Sequence, residues 1–189
     1  MNEATWIILL HQALFQGLFM AKNISLKIKL GKPIRGNNAE ASRAVAFFIF
    51  FIVLSLYLAS STANRGNGVL ATGLATGLSL LLLGLNLLFA IASLRDLGKS
   101  WRVGVIEEQE TELIEEGIYR YSRNPYFMSY LLLFAAYTLL LQSMLLLALS
   151  FIGFALVHAM IGREEAYLAR VHGETYSRYQ QRVPRYLLL

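Results

Sequence analysis

The sequence predicts an all-α integral membrane protein with five transmembrane helices, a polar insert after the third helix and a C-terminal amphipathic helix. Only 15% of its 189 residues are charged, against roughly 25% in soluble domains. Asp, Glu, Lys and Arg are absent from four tracts, residues 4–21, 44–64, 66–94 and 126–162. Because roughly 20 apolar residues in a helix cross a bilayer core about 30 Å thick, charge-free tracts of this length indicate membrane spans.

The first three tracts predict one span each, over residues 4–21, 44–62 and 69–94. The first tract could instead be a cleaved signal peptide. However, no basic residue precedes it and no small-x-small cleavage site follows it, and both are typical of signal peptides. We therefore expect an uncleaved helix.

The fourth tract is too long for one span. Its 37 residues would form a helix about 55 Å long, which exceeds the bilayer core. The tract therefore predicts two helices, over residues 126–141 and 143–162, joined by a tight turn near Gln142.

The remaining segments are polar and predict surface structure. The insert 95–125 is rich in glutamate, which indicates that it lies in water at the membrane surface. The tail 163–189 repeats apolar and aromatic residues every three to five positions, which predicts an amphipathic helix with a break at Gly173. Residues 23–30 alternate apolar and polar side chains, which favours a short extended or interfacial segment. Together these segments form one membrane domain, residues 1–189.

The basic residues predict the orientation of the chain. With five spans, 16 of the 17 Lys and Arg residues fall on one side of the membrane, and only Arg65 lies on the other. The positive-inside rule then places the N-terminus outside and the C-terminus in the cytoplasm. The net charge of +5 suits anionic lipid headgroups and does not require nucleic acid as a partner. The absence of cysteine excludes disulfides and thiolate chemistry.

The third span carries small residues four positions apart. Gly73 and Gly77, followed by Gly84, would let another helix backbone approach closely. Two interpretations remain open, which are packing within the monomer and a homodimer through the Gly73/Gly77 face.

Two polar clusters are predicted to meet where the last two spans leave the membrane. His158 precedes Glu165 by seven residues, so the two share a helical face. Asn124 and Pro125 lie at the same depth, because the last two spans form a hairpin. His11, in contrast, stands in the first span, where it is expected only to form hydrogen bonds with a neighbouring helix.

The residue types in these clusters suit a particular ligand. Arg123 can offer two parallel donors to a carboxylate, and Asn124 can both donate and accept hydrogen bonds. Glu164 or Glu165 can accept from ribose hydroxyls or an ammonium group. Aromatic rings for stacking come from Tyr119, Tyr121 and Tyr126. Adenine, ribose, carboxylate and cation are the parts of S-adenosylmethionine, although an interfacial anchor would use similar residues. The sequence contains no GxGxxG, P-loop or metal-ligand spacing that would suggest another arrangement.

Three motifs carry a resemblance to a known superfamily. The segments "LGKSWRVGV", "ELIEEGIYRYSRNPYF" and "EEAYLARVHGETYSRYQQRVPR" resemble the C-terminal half of the isoprenylcysteine carboxyl methyltransferase and phospholipid methyltransferase superfamily. They match the superfamily motifs in order and spacing over roughly residues 97–185. The predicted number of five spans also resembles that of the small prokaryotic members. The resemblance implies an enzyme in a prokaryotic cytoplasmic membrane that transfers a methyl group from S-adenosylmethionine to a lipophilic small molecule or lipid. It also implies that the insert and the tail form the cofactor site.

The resemblance also assigns roles to residues, none of which is a metal ligand. The implied cofactor-binding residues are Thr111, Glu112, Leu113, Ile114, Tyr119, Arg123, Asn124, Pro125, Tyr126, Phe127 and Glu164. The candidate catalytic and acceptor-side residues are Arg163, Glu165 and His158.

Some residues depart from the superfamily pattern and keep two alternatives open. Asn124 replaces the histidine usual in carboxyl methyltransferases, Phe127 replaces a tyrosine, and His172 replaces a phenylalanine. A related NADPH-dependent sterol reductase is one alternative, but the acidic insert disfavours the additional phosphates of NADPH. The other alternative is a non-catalytic membrane scaffold. A transporter is disfavoured because no broken helix or internal repeat is present.

Overall fold

Five long helices form the described part of the molecule. The computed structural model describes residues 2–30, 39–61, 68–101 and 112–187. The helices are α1 (Glu3–Leu30), α2 (Ala39–Ser60), α3 (Thr72–Leu97), α4 (Pro125–Leu141) and α5 (Met144–Arg182). Two short 3-10 helices, Gly98–Ser100 and Gly117–Arg120, precede α4, and no strand occurs within the described ranges. The prediction of an all-α protein is confirmed.

The lengths and compositions of these helices confirm an integral membrane protein. Helices α1, α2, α3 and α5 are long and apolar enough to cross a bilayer, and α4 is a shorter apolar helix of 17 residues. Helix α5 spans 39 residues and is broken at Gly173, so the part before the break, residues 144–172, is about 43 Å long. Its uncharged part, residues 144–162, is sufficient to cross the bilayer. The part that begins at Arg163 is charged and extends beyond the hydrocarbon core.

Contacts at one end of the bundle show that consecutive helices run in opposite directions. The side chain of Asn2, before α1, donates a hydrogen bond to the carbonyl of Ala59 near the end of α2. The amide of Gln142, between α4 and α5, bonds both backbone groups of Leu70 before α3, at 2.8 and 3.0 Å. This end therefore joins the start of α1 and α3 to the end of α2 and α4.

The opposite end, which we call the site end, collects the other helix termini. Trp101 donates through Nε1 to Oδ1 of Asn23 in α1, at 2.8 Å. The backbone N–H of Ile118 donates to Asp96 in the last turn of α3, at 2.8 Å. The polar segment before α4 is thereby tied to the ends of α1 and α3.

The apolar core contains a chain of polar side chains between three helices. His11 lies between the hydroxyl of Tyr137 and Oδ1 of Asn86, each 2.8 Å from a ring nitrogen. Asn86 donates to the carbonyl of Ser129 at 2.6 Å, and Gln12 donates to the hydroxyl of Tyr137 at 2.9 Å. The prediction that His11 bonds neighbouring helices is confirmed.

The structure also corrects two predictions from the sequence. Residues 23–30 continue α1 as helix, so the extended segment expected there is wrong; Leu26 is buried against the core, and this contact favours the helix. Packing of Gly73 and Gly77 within the monomer is also wrong, because a methyl group added at either glycine would meet no described atom within 4 Å. The break expected at Gly173 is confirmed, since its φ is 52° and its ψ is −124° inside α5.

Candidate active site

Three segments converge at the site end. They are the turn of residues 121–124 before α4, the glutamate pair Glu164 and Glu165 in α5, and the C-terminal segment 183–187. Asn124 in the turn donates to Glu165 at 3.0 Å, although 41 positions separate them in sequence. This contact confirms that the hairpin of α4 and α5 brings the two polar clusters together.

The carboxylate of Glu165 is the centre of an ionic cluster. Its Oε1 accepts from Nε of Arg123 at 3.1 Å and from Nδ2 of Asn124, and Nη2 of Arg123 forms an ion pair with it, also at 3.1 Å. Its Oε2 accepts from Nε and Nη2 of Arg185, at 3.1 and 2.7 Å. Glu165 is buried, with 4% of its surface exposed. Burial alone would raise the pKa of Glu165, but hydrogen bonds from Arg185 and Asn124 and the charge of Arg123 outweigh it, so the pKa lies below its usual value.

The C-terminal segment holds the turn through consecutive backbone carbonyls. The guanidinium of Arg123 donates through Nη1 to the carbonyls of Val183 and Gln180, and its backbone N–H donates to that of Pro184 at 3.0 Å. The carbonyl of Arg185 accepts from Asn124 at 3.3 Å. The guanidinium and the amide that the sequence assigned to a ligand are therefore bonded within the protein. Their contacts describe a scaffold for the site.

Glu164 contrasts with its neighbour. It is partly buried, and within the described ranges no hydrogen bond or ion pair is found for its carboxylate. Burial, followed by the charge of Glu165, raises the pKa of Glu164 to about 7. The carboxylate lies within electrostatic range of the hydroxyls of Tyr119 and Tyr126. The site thus contains an acidic group that lies within electrostatic range of two tyrosines and pairs with no basic side chain in the described part of the chain.

The segment 112–120 lies between the end of α3 and the second half of α5. The hydroxyl of Tyr179 donates to the carbonyl of Tyr119 at 2.7 Å. The side chain of Leu113 packs against a small buried cluster formed by Tyr176, Tyr179 and Val183. Tyr119 is itself buried, and this burial, with the charge of Glu164, raises its pKa well above the usual range. The segment therefore holds Tyr119 with its hydroxyl neutral and within electrostatic range of Glu164.

Aromatic rings close the site toward the membrane. The ring of Tyr126 lies 4.6 Å from that of Trp101 and 5.5 Å from that of Phe19, measured between centroids. Its hydroxyl bonds that of Tyr130 at 2.9 Å. Phe127, where the superfamily pattern has a tyrosine, is buried in the same core. These rings therefore form an aromatic cluster at the start of α4, within electrostatic range of Glu164.

Buried polar atoms near the site have unused hydrogen-bonding capacity. Within the described ranges, the hydroxyl of Tyr176 and Nε2 of His172 are buried without a partner. Tyr176 has 1% of its surface exposed, and its hydroxyl lies near the guanidinium of Arg123 without forming a regular hydrogen bond to it. A buried hydroxyl without a regular hydrogen bond suits a polar ligand, because an unsatisfied buried donor is costly.

The predicted site residues separate into four groups. Arg123, Asn124, Pro125 and Glu165 form the scaffold, and Tyr119, Tyr126 and Glu164 lie within electrostatic range of one another. Glu112, Leu113 and Ile114 belong to the covering segment, and Thr111 lies outside the described residues. His158 and Arg163 are exposed on α5.

Three residues of the site were not predicted from the sequence. They are Arg185, Tyr179 and Asp96, which hold Glu165, Tyr119 and Ile118 in place. The first two belong to the tail motif, whose spacing predicts an amphipathic helix but assigns no partner to these two side chains. The positions of these residues in the sequence do not distinguish a contact within the protein from a contact with lipid.

Comparison with known proteins identifies related sequences over much of this region. The family model described as phospholipid methyltransferase matches residues 74–175, which is more than half of the 189-residue chain. The matched region includes α3, the turn before α4 and both glutamates, and it ends just before Tyr176. No curated protein matches the chain.

Proposed function

The chain belongs to the phospholipid methyltransferase family, and from this premise we propose that it transfers a methyl group from S-adenosylmethionine to a lipophilic acceptor. The family and the membrane helices make it a membrane methyltransferase. The cofactor and the acceptor are the parts that we add. Of the acceptors expected from the sequence, a phospholipid amine agrees better with the family than an isoprenylcysteine carboxylate does.

The carboxylate of Glu164 is the observation that carries this proposal. A partly buried acid without a basic partner, among aromatic rings, favours a positively charged ligand. S-adenosylmethionine has two positive groups, its sulfonium and its ammonium. The orphaned hydroxyl of Tyr176 offers a further donor to the polar parts of the cofactor. These features fit the cofactor by charge and by hydrogen-bonding capacity.

We assign different roles to the two adjacent glutamates. Glu165 is fully engaged by Arg123, Asn124 and Arg185, so it is a positioning residue and not a free base. Glu164 pairs with a positively charged group of the cofactor. The cover over the cofactor comes from Tyr119 and the described residues before it, Glu112 to Ile114; Thr111 remains a cofactor residue proposed from the sequence alone. His158 and Arg163 remain the residues proposed for the acceptor side.

Catalysis would follow mainly from orientation and exclusion of water. S-adenosylmethionine supplies, when bound, a methyl group activated by the sulfonium charge. The residues around Glu165 hold the turn and α5 in fixed relation, and such positioning contributes several kcal/mol, roughly up to 7–11, in well-oriented reactions. The rings of Tyr126 and Trp101 pack against each other, and we propose that they limit the access of water from the membrane side. An uncharged nucleophile delivered from the lipid would then meet the methyl group with little water around it.

Calorimetric titration of the detergent-purified protein tests the proposal. S-adenosylhomocysteine is expected to bind with micromolar affinity, and NADPH to give no heat. Glu164→Gln should weaken binding at least tenfold, whereas Glu174→Gln, an exposed glutamate in the same helix, is the matched control and should bind as the wild type does. Binding of NADPH alone would indicate the reductase alternative, and binding of neither ligand would indicate the scaffold alternative.

Two further expectations from the sequence are also proposals. A homodimer through the Gly73/Gly77 face can be tested by the mass of the detergent-solubilised protein in light scattering. The predicted orientation in the cytoplasmic membrane, with the C-terminus in the cytoplasm, can be tested with reporter fusions at each terminus.

A further inference from the structure

The ionic cluster at the site end carries an excess of positive charge. Arg123 and Arg185 share the single carboxylate of Glu165, so the three side chains together carry one net positive charge. The side chain of Arg123 is 10% exposed, whereas that of Arg185 is 34% exposed. The excess charge is therefore accessible on the Arg185 side of the cluster.

One nitrogen of Arg185 is directed away from Glu165. Nε and Nη2 bond the carboxylate, and Nη1 lies 3.5 Å from Nε2 of His158. Good hydrogen bonds of this type are about 2.7–3.2 Å long, so the donor capacity of Nη1 is largely unused in this contact. Two nitrogens from different segments thus converge on one point.

His158 has an unusual position on the outside of α5. It is exposed and lies four residues before the end of the uncharged tract at Gly162, or about 6 Å along the helix. Its ring contacts those of Phe154 and Tyr186, and the three ring centroids form a triangle with sides of 5.9, 6.2 and 6.3 Å. Its Nδ1 bonds the hydroxyl of Tyr186 at 3.0 Å. A polar residue that faces lipid near the end of a span is costly unless it meets polar groups at that depth. Phosphates of the lipid headgroups are such groups.

We propose that Arg185 and His158 bind the phosphodiester of a membrane lipid. Arg185 Nη1 and His158 Nε2 donate to its oxygens, and the phosphate neutralises the excess charge of the cluster. A phosphodiester carries one negative charge, which matches the excess. The exposed ring of Phe154 and the half-buried ring of Tyr186 are placed to contact the glycerol and acyl region. Identifying this lipid as the methyl acceptor rests on the proposed function, whereas the phosphate site itself does not.

Binding of a short-chain phospholipid without an amine tests the inference directly. Dihexanoylphosphatidylglycerol, dihexanoylglycerol and inorganic phosphate are titrated into the purified full-length protein, below the micelle concentration of the lipid. The phospholipid should bind, and the other two should bind at least tenfold more weakly. His158→Phe keeps the ring stack but removes both nitrogens, and should weaken phospholipid binding about tenfold. Phe154→Leu changes the adjacent ring and keeps the nitrogens, so it should retain most of the affinity.

The affinity for S-adenosylhomocysteine, measured on the same variants, separates this inference from the proposed function. Unchanged cofactor affinity in His158→Phe shows that the variant is folded and that its loss is specific to the phosphate site. Phospholipid binding that depends on His158, in a protein that does not bind the cofactor, would support the phosphate site and reject the methyltransferase proposal. Equal binding of dihexanoylglycerol, equal binding of inorganic phosphate, or an unchanged affinity in His158→Phe would overturn the inference.

Discussion

The adjacent glutamates of α5 should respond oppositely to the same substitution. Glu165→Gln removes a buried charge that accepts hydrogen bonds from Arg123, Asn124 and Arg185. Glu164→Gln removes a charge that has no such partner in the part of the chain the structure describes. We therefore expect the first substitution to destabilise the protein strongly, and the second to leave its stability unchanged or higher.

The expected loss of stability in Glu165→Gln follows from the unpaired charges that the substitution leaves. Breaking a buried ion pair costs about 3–5 kcal/mol. The lower end applies to Glu165→Gln, because the side chain of Arg185 is 34% exposed and can be hydrated. For a chain of this size, a loss of about 3 kcal/mol lowers the melting temperature by roughly 10 °C.

The sign for Glu164 follows from its pKa. That pKa is raised from 4.5 to about 7, so the carboxyl favours folding below pH 4.5 and this contribution is lost as the pH rises through 7. At pH 8 the ionised group is therefore unfavourable. We expect Glu164→Gln to raise stability by about 1 kcal/mol there, after allowance for its partial exposure.

Thermal unfolding in detergent at pH 8, followed by the fluorescence of Trp6 and Trp101, measures both effects. Glu174→Gln serves as the control for a change of charge on the exposed face of α5. Equal melting temperatures for Glu164→Gln and Glu165→Gln, or a larger loss in Glu164→Gln, would refute the distinction between a paired and an unpaired carboxylate.

Three other predictions concern the same region. A cationic ligand that pairs with Glu164 should bind about tenfold more tightly at pH 8 than at pH 6, because the carboxyl ionises with a pKa of about 7; titration calorimetry should show this pH dependence disappear in Glu164→Gln, and a slope that persists would contradict the pairing. Gly117→Ala should cost about 1–2 kcal/mol, because Gly117 has φ 62° and an added methyl would collide with the carboxylate of Asp96; an unchanged melting temperature would show that neither constraint matters. Tyr179→Phe leaves the carbonyl of Tyr119 without its donor. Thermal unfolding should therefore show a loss of stability of about 1–2 kcal/mol, and cofactor affinity should fall as well. Wild-type stability and wild-type affinity in this variant would show that the hydrogen bond supports neither.

The helices were predictable because lipid imposes a simple rule on the chain. Backbone groups in hydrocarbon must bond within a segment, so charge-free tracts of sufficient length form helices. The rule does not apply where a helix enters water, because water can bond the backbone groups there. There α1 continues through residues 23–30, whose alternating pattern resembled an extended segment, and α5 continues beyond Arg163. Contacts such as Trp101 with Asn23 hold the first extension, and no local pattern in the sequence reveals them.

The sequence predicted which segments meet at the site but not the contacts between their side chains. The hairpin of α4 and α5 follows from a charge-free tract of twice the required length, and it brings Asn124 to Glu165. Which glutamate forms the ion pairs depends on a rotation of about 100° between neighbouring residues of a helix. It also depends on the course of the C-terminal segment, which carries Arg185 back to the cluster. Neither can be read from residue types and spacing.

Transfer of a labelled methyl group tests the central claim most directly. Purified protein, in vesicles that contain an amine phospholipid, is incubated with S-adenosylmethionine labelled with tritium in its methyl group, and the lipids are extracted and counted. The account predicts label in the lipid fraction with wild type and Glu174→Gln, and little or none with Glu164→Gln. Label that appears equally with Glu164→Gln would contradict the role of this carboxylate. Absence of label with the wild type, in vesicles of amine phospholipid, would contradict transfer to such a lipid.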